Sequence, residues 1–254
     1  MSQHWVRFKN GNNIRFGMLE GEYVRACEGD MFGKSVPTDQ VFLLKDVVLL
    51  TPVAPTKIIA LWNNFFALAE KLNLPTPEEP LYFIKSPNSY LEPHGVIRQP
   101  DGCKVVFEGE LAIVIGKTCV KVAEDDALDH VFGYTCANDV TAANILNRDA
   151  SFAQWVRAKG FDTFCPFGPA VVTGLDPATL VVKTILNGEI RQNYAISDMR
   201  FSVQRLVSLI SKDMTLCPGD MILCGTSVGV GVMKPGSTVE IDIDGIGKLS
   251  NQFE

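Results

Sequence analysis

The chain has 254 residues, of which 46% are hydrophobic and 20% charged, and its formal net charge is −6. This length and composition are typical of a soluble globular protein with a sizeable core, and the negative charge disfavours nucleic acid as a partner. No apolar run is long enough to cross a membrane and the first residues carry no apolar signal region, so we expect a cytoplasmic protein.

The first fifty residues predict a small antiparallel β meander. Three short strand candidates within residues 4–28 are separated by turn residues such as asparagine and glycine. Further apolar segments follow, and the proline-rich stretch 51–55 then interrupts regular structure. We therefore predict two units, a small N-terminal β lobe over residues 1–52 and a main domain over residues 53–254.

The main domain begins with alternating strand and helix signals. Residues 57–62 predict its first strand, and a helix is predicted over residues 65–72 with Asn63 or Asn64 as its N-cap. A loop rich in proline follows, because three prolines within it exclude regular structure. The apolar segment 81–85 then predicts a second strand.

An apolar segment with two glutamates inside it carries most of the chemistry. Residues 105–116 are largely β-branched and bounded by glycine, which predicts a buried strand, and alternation directs Glu108 and Glu110 to the same face. Buried like charges are costly unless a positive charge lies between them. A second apolar run, 131–138, ends in Asp139, and three carboxylates on strands suit Mg²⁺ or Mn²⁺. The alternative is one glutamate at a sheet edge and the other paired with a lysine.

The rest of the chain predicts short helices and many strands. Helical segments are predicted within residues 140–157 and over 203–211, a loop over 161–169, and a hairpin turn at Asn187 and Gly188. Strands dominate without a regular alternation of strand and helix, so the predicted fold class is α+β and mainly β. The seven cysteines include no Cys-x-x-Cys pair, which disfavours a thiolate zinc site and fits free thiols in a reducing cytoplasm.

From Lys57 to its last residue, the chain resembles the fumarylacetoacetate hydrolase family. The resemblance is carried by 107–112 (FEGELA), 137–142 (ANDVTA), 159–169 (KGFDTFCPFGP), 218–220 (PGD) with 225–226 (GT), and 243–251 (IDGIGKLSN). No single segment is specific, but all of them in this order are highly specific.

The resemblance implies a mixed β-sandwich roll and a homodimer. It implies that Mg²⁺ or Mn²⁺ is bound by an E-x-E pair and a following aspartate, at the positions of Glu108, Glu110 and Asp139. Members of the family act on 2-oxo acids and their enols by C–C hydrolysis, decarboxylation or transfer of an enol proton. This chain is nearest in character to 2-hydroxyhepta-2,4-diene-1,7-dioate isomerases and oxo-diacid decarboxylases. A small 2-oxo acid is therefore the expected substrate.

The resemblance also assigns side chains around the substrate. Lys159 matches the family's substrate lysine, which places positive charge beside a developing enolate oxygen; a surface helix lysine is the alternative. Lys85 matches a second basic position, and Thr226 is expected to hydrogen-bond a substrate carboxylate, unless its glycine-rich stretch is only a β-turn. Gln154 is expected to line the substrate or to be purely structural, and Asp162 to order its loop or a metal-bound water.

One stretch departs from the family pattern. Hydrolytic members carry Asn-Tyr-x-x-His-x-x-Glu after the first strand, and its histidine and glutamate activate water. This chain has Ala67 at the histidine position but keeps Glu70, and Ala143 stands where an arginine is usual. His94, in a loop before the diglutamate segment, is a candidate for a relocated base; an exposed loop histidine is the alternative. Glu70 or Lys159 is expected to supply the proton that enolate chemistry needs.

We therefore expect a metal-dependent enzyme that passes through an enolate, an isomerase (tautomerase) or decarboxylase of a 2-oxo or 2-hydroxydienoic diacid, as in aromatic catabolism. An acylpyruvate C–C hydrolase that uses an unrecognised base is the first alternative. The second belongs to another class, a catalytically silent relative that binds an oxo acid. The three intact carboxylates and Lys159 speak against the silent relative, whereas the missing histidine and arginine keep it open.

Overall fold

The computed structural model describes residues 2–254 of the chain. The N-terminal strands are β1 (Gln3–Asn10), β2 (Asn13–Glu20), β3 (Tyr23–Gly29), β4 (Ser35–Leu43) and β5 (Val48–Leu49). The next strands are β6 (Ile58–Trp62), β7 (Leu81–Lys85), β8 (Tyr90–Leu91), β9 (Val96–Ile97), β10 (Val105–Phe107) and β11 (Gly109–Ile115). These are followed by β12 (Val131–Asn138), β13 (Thr141–Ala142), β14 (Cys165–Thr173), β15 (Val181–Leu186) and β16 (Glu189–Ala195). The last strands are β17 (Met221–Leu223), β18 (Gly231–Val232), β19 (Ser237–Ile243) and β20 (Gly247–Phe253).

Helices are short. The α-helices are α1 (Phe66–Leu72), α2 (Ala143–Leu146), α3 (Trp155–Lys159) and α4 (Val203–Asp213). The 3₁₀ helices are Leu44–Asp46, Pro87–Ser89, Glu124–His130, Pro177–Thr179 and Ile196–Asp198. Strand therefore predominates, which confirms the predicted mainly β, α+β fold. Within residues 2–254, no helix has the length and apolar character needed to cross a membrane.

The strands form three sheets. The largest has the order β4-β3-β2-β1-β14-β12-β11-β17-β6-β7, with β5 paired to β1 and β8 to β14. A second sheet has the order β16-β15-β19-β20-β9, and a small third sheet has the order β13-β10-β18. Buried side chains of the two larger sheets, such as Ile113, Val182 and Ile241, belong to one hydrophobic cluster. The main core therefore lies between these sheets.

The largest sheet is rolled. Four strand-to-strand steps separate β12 from β7, which in a flat sheet would place them about 19 Å apart at ~4.8 Å per step. Nevertheless, Lys85 Nζ at the end of β7 lies 2.8 Å from Asp139 Oδ1, just after β12. Strand twist accumulates across a sheet and coils it, so these two strand ends converge. Because of this roll, segments that are distant in sheet order meet at one site.

The N-terminal meander, predicted within residues 4–28, is present as β1, β2 and β3. It extends the largest sheet, because β1 pairs with β14 through registers such as Trp5 opposite Val171. Val6 and Phe8 are fully buried in the main hydrophobic cluster. The meander therefore shares the core of the main domain.

Two local predictions were wrong. The N-cap residue of α1 is Phe65; Asn64 instead donates to Cys224 O (2.8 Å) and accepts from Phe201 N (3.0 Å). The predicted loop 161–169 is strand from its fifth residue onward, because Cys165 and Pro166 pair with β8 and the next two residues pair with β12. In both cases tertiary partners override a local sequence signal.

Candidate active site

Three carboxylates converge where β12 ends and β11 begins. Glu110 is the second residue of β11, Asp139 follows the last residue of β12, and Glu108 lies in the gap between β10 and β11. Pairing of Gly109 with Asn138 brings these positions together. One ligand oxygen from each carboxylate lies within 4.8 Å of the others. We call Glu108, Glu110 and Asp139 the acidic triad.

The chain path at the triad differs from the predicted continuous strand 105–116. The strand breaks at Glu108, because β10 pairs with β13 and β18 whereas β11 pairs with β12 and β17. The Glu108 amide donates to Asn138 Oδ1 (2.9 Å), and its carbonyl accepts from Asp139 N (2.9 Å). Thr141 Oγ1 donates to Glu108 Oε1 (2.7 Å). These bonds at the break, rather than strand alternation, hold Glu108 at the site.

Two lysines lie against the triad. Lys159 Nζ, at the end of α3, donates to Glu108 Oε2 (2.6 Å) and Asp139 Oδ2 (2.5 Å). Lys85 Nζ forms an ion pair with Asp139 Oδ1, without hydrogen-bond geometry, and donates to Phe164 O (2.9 Å). Lys85 and Asp139 are fully buried, and Lys159 is 3% exposed. When all three carboxylates are ionised, as binding of a cation requires, the two ammonium groups leave one negative charge uncompensated.

Burial and neighbouring charges shift the ionisation of these groups. Burial, and then the charge of Asp139, raises the pKa of Glu110 well above its usual range. Burial would raise the pKa of Asp139, but the charges of Lys159 and Lys85 and the hydrogen bond from Lys159 outweigh it and lower that pKa. Burial would lower the pKa of Lys159, but Asp139 and Glu108 raise it by more, so Lys159 keeps its proton at neutral pH.

The surroundings of the Glu110 carboxylate indicate that the site suits a cation. Its side chain is fully buried, and Oε2 accepts from Gly225 N (2.8 Å), whereas Oε1 has no hydrogen-bond partner among residues 2–254. An unpaired buried carboxylate oxygen beside two other carboxylates is costly without a cation. Hard divalent cations prefer oxygen donors of this kind. The acidic triad therefore fits Mg²⁺ or Mn²⁺.

Thr226, predicted to bind substrate, forms part of the scaffold around the triad. It is buried, its hydroxyl donates to Gly109 O (3.0 Å), and it accepts from Gln192 Nε2 (2.8 Å). The single hydroxyl hydrogen is therefore already used within the protein. A role in holding a substrate carboxylate stays a prediction, because the substrate would have to replace the bond to Gly109.

The structure does not bring Gln154, Asp162 or Glu70 to the acidic triad. Gln154 is the N-cap residue of α3 and donates to Phe152 O (3.1 Å). Asp162 is exposed and accepts from Asn88 Nδ2 (2.7 Å), so it orders its own loop. Glu70 is exposed on α1 and, within the described chain, shares no hydrogen bond or ion pair with the triad. Their predicted roles stay predictions.

No histidine contacts the triad, and all three histidines lie within the described range. His94 is exposed in a loop, and its backbone amide donates to Ser250 O (2.7 Å). At the position that is histidine in hydrolytic relatives, the amide of Ala67 donates to Asp198 Oδ2 (3.1 Å). Among residues 2–254, no imidazole is therefore placed to act as a base beside the carboxylates.

Sequence reasoning missed several residues that build the site. Asn138 and Thr141 flank the third carboxylate, and this position next to a strand end is the signal that could have identified them. Phe83 lies beneath Lys159, whose Nζ is 5.2 Å from the ring centroid, a cation–π contact. Gln192 gave no signal, because a glutamine in a short strand is ordinarily exposed.

The family match decides where this chain belongs. Residues 57–254 match the family described as fumarylacetoacetate (FAA) hydrolase C-terminal. The chain belongs to the fumarylacetoacetate hydrolase family. Residues 3–52 match a second family, described as Rv2993c-like, N-terminal. The resemblance drawn from the sequence segments is thereby confirmed.

Relatives within the fumarylacetoacetate hydrolase family include isomerases and tautomerases. The mitochondrial oxaloacetate tautomerase fahd2 of Xenopus laevis is 40% identical over 81% of this chain and 68% of its own. Oxaloacetate tautomerase YisK of Bacillus subtilis is 38% identical over 85% of this chain and 78% of its own. The crystal structure of 2-hydroxyhepta-2,4-diene-1,7-dioate isomerase from Mycobacterium marinum has a TM-score of 0.91 at 39% identity, covering 99% of this chain and 98% of that chain.

Proposed function

We propose that this chain is a divalent-cation-dependent tautomerase that interconverts the keto and enol forms of a 2-oxo diacid such as oxaloacetate. One observation carries the proposal: a buried acidic triad with an unpaired Glu110 oxygen, faced by two lysines and by no histidine of the described chain. The names of the relatives support the same chemistry. The 2-oxo acid ligand and the homodimer expected from the resemblance are part of this proposal.

The charge balance of the site favours an anionic substrate once a cation is bound. Three carboxylates and two ammonium groups sum to −1, and Mg²⁺ or Mn²⁺ held by Glu108, Glu110 and Asp139 would bring the sum to +1. When bound, the cation supplies Lewis-acid stabilisation of enolate charge. The protein's own contribution is to hold the three carboxylates in place and to exclude water from them.

Lys159 is our candidate for the group that interacts with the reacting end of a substrate. Its ammonium group bridges Glu108 and Asp139, and the Glu108 side chain is 14% exposed whereas that of Asp139 is fully buried. The site therefore opens on the side of Glu108 and Lys159. Because its pKa is raised, Lys159 keeps its proton and donates a hydrogen bond to the developing oxyanion, while the proton that leaves or returns to the substrate carbon is exchanged with solvent at the open side of the site.

Hydrolysis of a C–C bond requires a base that deprotonates water, and the site offers none of the usual kind. Ala67 replaces the histidine of hydrolytic relatives, and Glu70 is exposed on α1. An exposed carboxylate is a weak base at neutral pH. Tautomerisation, and the related loss of CO₂, needs no activated water. These reactions are therefore favoured over acylpyruvate cleavage.

The test is a panel of three assays on the same protein with Mn²⁺ and with EDTA. Keto–enol conversion of oxaloacetate is followed by ultraviolet absorbance, CO₂ release by a coupled assay, and cleavage of acetylpyruvate or fumarylpyruvate by loss of the substrate. A metal-only sample corrects for catalysis by free Mn²⁺. We expect conversion well above that background, abolished by EDTA, with slower CO₂ release and weak cleavage.

Rapid acylpyruvate cleavage would contradict the proposed reaction. A His94→Ala variant then separates two explanations. If cleavage survives in that variant, the argument from the missing histidine is wrong; if cleavage is lost, His94 is a relocated base. CO₂ release that outpaces keto–enol conversion would instead make the protein a decarboxylase that uses the same enolate.

A further inference from the structure

The peptide of Gly109, the single residue between the two glutamates of the triad, is held by three side chains. Its amide donates to Gln192 Oε1 (3.1 Å). Its carbonyl accepts from Tyr194 OH (2.5 Å) and from Thr226 Oγ1 (3.0 Å). Both backbone polar groups of Gly109 are therefore hydrogen-bonded to side chains from outside β11.

Gln192 also holds the glycine-rich loop that follows β17. Its Nε2 donates to Thr226 Oγ1 (2.8 Å) and Ser227 O (3.0 Å), while its Oε1 accepts from Thr184 Oγ1 (2.8 Å) as well as from Gly109. Gln192 is 1% exposed. One side chain thus joins the residue between the two glutamates to the loop on the other side of the site.

That loop supplies the direct partner of a triad residue. Gly225 N, one residue before Thr226, donates to Glu110 Oε2 (2.8 Å). A shift of the loop would therefore move the donor that orients Glu110, and a shift of the Gly109 peptide would move the backbone of Glu108 and Glu110 together. Both shifts are opposed by Gln192, and the second also by Tyr194.

The position of Gln192 and Tyr194 in β16 also indicates that these two residues hold the Gly109 peptide in place. β16 is an outer strand of its sheet, and its side chains are exposed except at Gln192, Tyr194 and, in part, Ala195. A buried amide and a buried phenol are costly unless their hydrogen bonds are made. Gln192 makes its hydrogen bonds to the Gly109 peptide, Thr184 and the glycine-rich loop, and Tyr194 makes its own to Gly109.

We propose that Gln192 and Tyr194 are positioning residues that fix the spacing of Glu108 and Glu110 and so set the affinity of the triad for a divalent cation. Neither residue touches the ligand oxygens. Outer partners of this kind typically change metal affinity or activity by about 10–100-fold when removed. This inference rests on the cation site of the proposed function but not on the reaction catalysed there.

The test compares Gln192→Met and Tyr194→Phe with Ser211→Ala in the full chain. Ser211 has a buried hydroxyl that accepts from Val122 N (3.0 Å) and donates to Ser208 O (2.9 Å), away from the triad. Ser211→Ala is thus a matched control, because it also deletes one buried polar group. Mn²⁺ affinity is measured by calorimetry without substrate, and amide hydrogen exchange is followed over residues 225–231.

We expect Gln192→Met to weaken Mn²⁺ binding by about tenfold and to speed exchange over residues 225–231. Tyr194→Phe should weaken binding in the same direction by less, because Thr226 still donates to Gly109. Ser211→Ala should leave the Mn²⁺ affinity within about twofold. If Gln192→Met does not fold, Tyr194→Phe carries the test alone.

Parent-like Mn²⁺ affinity in both variants would overturn the inference and leave the proposed function standing. If the variants bind Mn²⁺ more weakly but the parent protein shows no tautomerase activity, the inference is supported and the proposed reaction is overturned. A parent that does not bind Mn²⁺ overturns both the cation site and the positioning role. Equal loss of affinity in Ser211→Ala would also overturn the inference, since general destabilisation would then explain the result.

Discussion

The two lysines of the site serve its carboxylates in different ways. Lys85 is fully buried, pairs with Asp139 and donates to Phe164 O. Lys159 bridges two carboxylates and lies at the side where Glu108 is partly exposed. Removing one partner of a buried ion pair costs about 3–5 kcal/mol, because a charge is left uncompensated. Lys85 thus pairs with Asp139 alone, whereas Lys159 also pairs with the partly exposed Glu108.

Glu110→Ala tests the metal assignment. The variant should lose Mn²⁺ affinity by about 100-fold or more, since removing a ligand exceeds the ~10–100-fold cost of removing its outer partners. Calorimetric titration with Mn²⁺ measures the effect, and Glu92→Ala, which removes an exposed carboxylate, is the control. Unchanged binding by Glu110→Ala would show that the triad does not hold the cation.

Lys159→Met separates a role toward the substrate from a role toward the metal. Turnover should fall by about 100-fold, the size of effect seen when one donor to an oxyanion is removed. Mn²⁺ affinity should not fall, because the variant removes a positive charge that lies beside Glu108 and Asp139 and repels the cation. Lys183→Met, at a lysine paired with the exposed Asp244, is the control for both measurements. Equal losses of turnover and affinity would indicate a collapsed site instead.

Among the structural elements, the interrupted strand at Glu108 matters most for the site. A Cβ atom at Gly109 would lie 2.0 Å from Thr184 Oγ1 and 2.8 Å from Ile241 Cδ1, both on the five-stranded sheet. Only glycine lets the chain approach that sheet so closely while it passes from β10 to β11. The second sheet therefore fixes where the break falls, and the break places Glu108 beside Glu110.

Gly109→Ala should lower the free energy of unfolding by about 2 kcal/mol, because the new methyl group overpacks this contact. Thr184→Ala removes the closest clashing atom, so the double variant should lose less stability than the sum of the two single variants. Denaturant unfolding of all four proteins measures the coupling. Strict additivity would mean that Gly109 is not needed for the approach to Thr184.

Local signals in the sequence predicted the elements that depend on local chemistry. The hairpin at Asn187 and Gly188 is present, with positive φ at both residues, and α4 covers the predicted helix 203–211. The carboxylate cluster was also predictable, since residue identities and two strand ends suffice to bring it together. The strand break at Glu108 and the burial of Gln192 were not predictable, because both depend on a sheet formed by residues much later in the chain.

At the scale of the whole molecule, Asp220 ties together the strands on which the roll depends. Just before β17, its carboxylate accepts from Thr56 N (3.1 Å), Lys57 N (3.1 Å) and Cys217 N (2.8 Å), and it pairs with the Lys57 ammonium group. Thr56 and Lys57 lead into β6, the parallel partner of β17. Burial would raise the pKa of Asp220, but hydrogen bonds from Lys57, Thr56 and Cys217 lower it.

Asp220→Asn should therefore destabilise the protein in a pH-dependent way. The folded pKa of Asp220 lies below its unfolded value of about 3.9, so the ionised carboxylate stabilises the fold above about pH 4, and this stability is lost as the pH falls through the folded value. We expect a loss of about 3 kcal/mol at pH 7, shrinking below pH ~4. Denaturant unfolding of both proteins at several pH values measures this loss. A difference in unfolding free energy that does not vary with pH would contradict the stabilising role of the ionised carboxylate.

The rolled sheet also has a kinetic consequence. Lys85 and Phe164, which meet at the site, are separated by 79 residues of chain. Contacts between such distant residues form only after the entropy of closing a long loop has been lost, and folds rich in them cross their transition state slowly. We expect Lys85 and Asp139 to stay hydrated until β7 reaches the end of β12, so that their ion pair forms late in folding. We therefore expect the Lys85–Asp139 ion pair to slow unfolding more than it speeds folding.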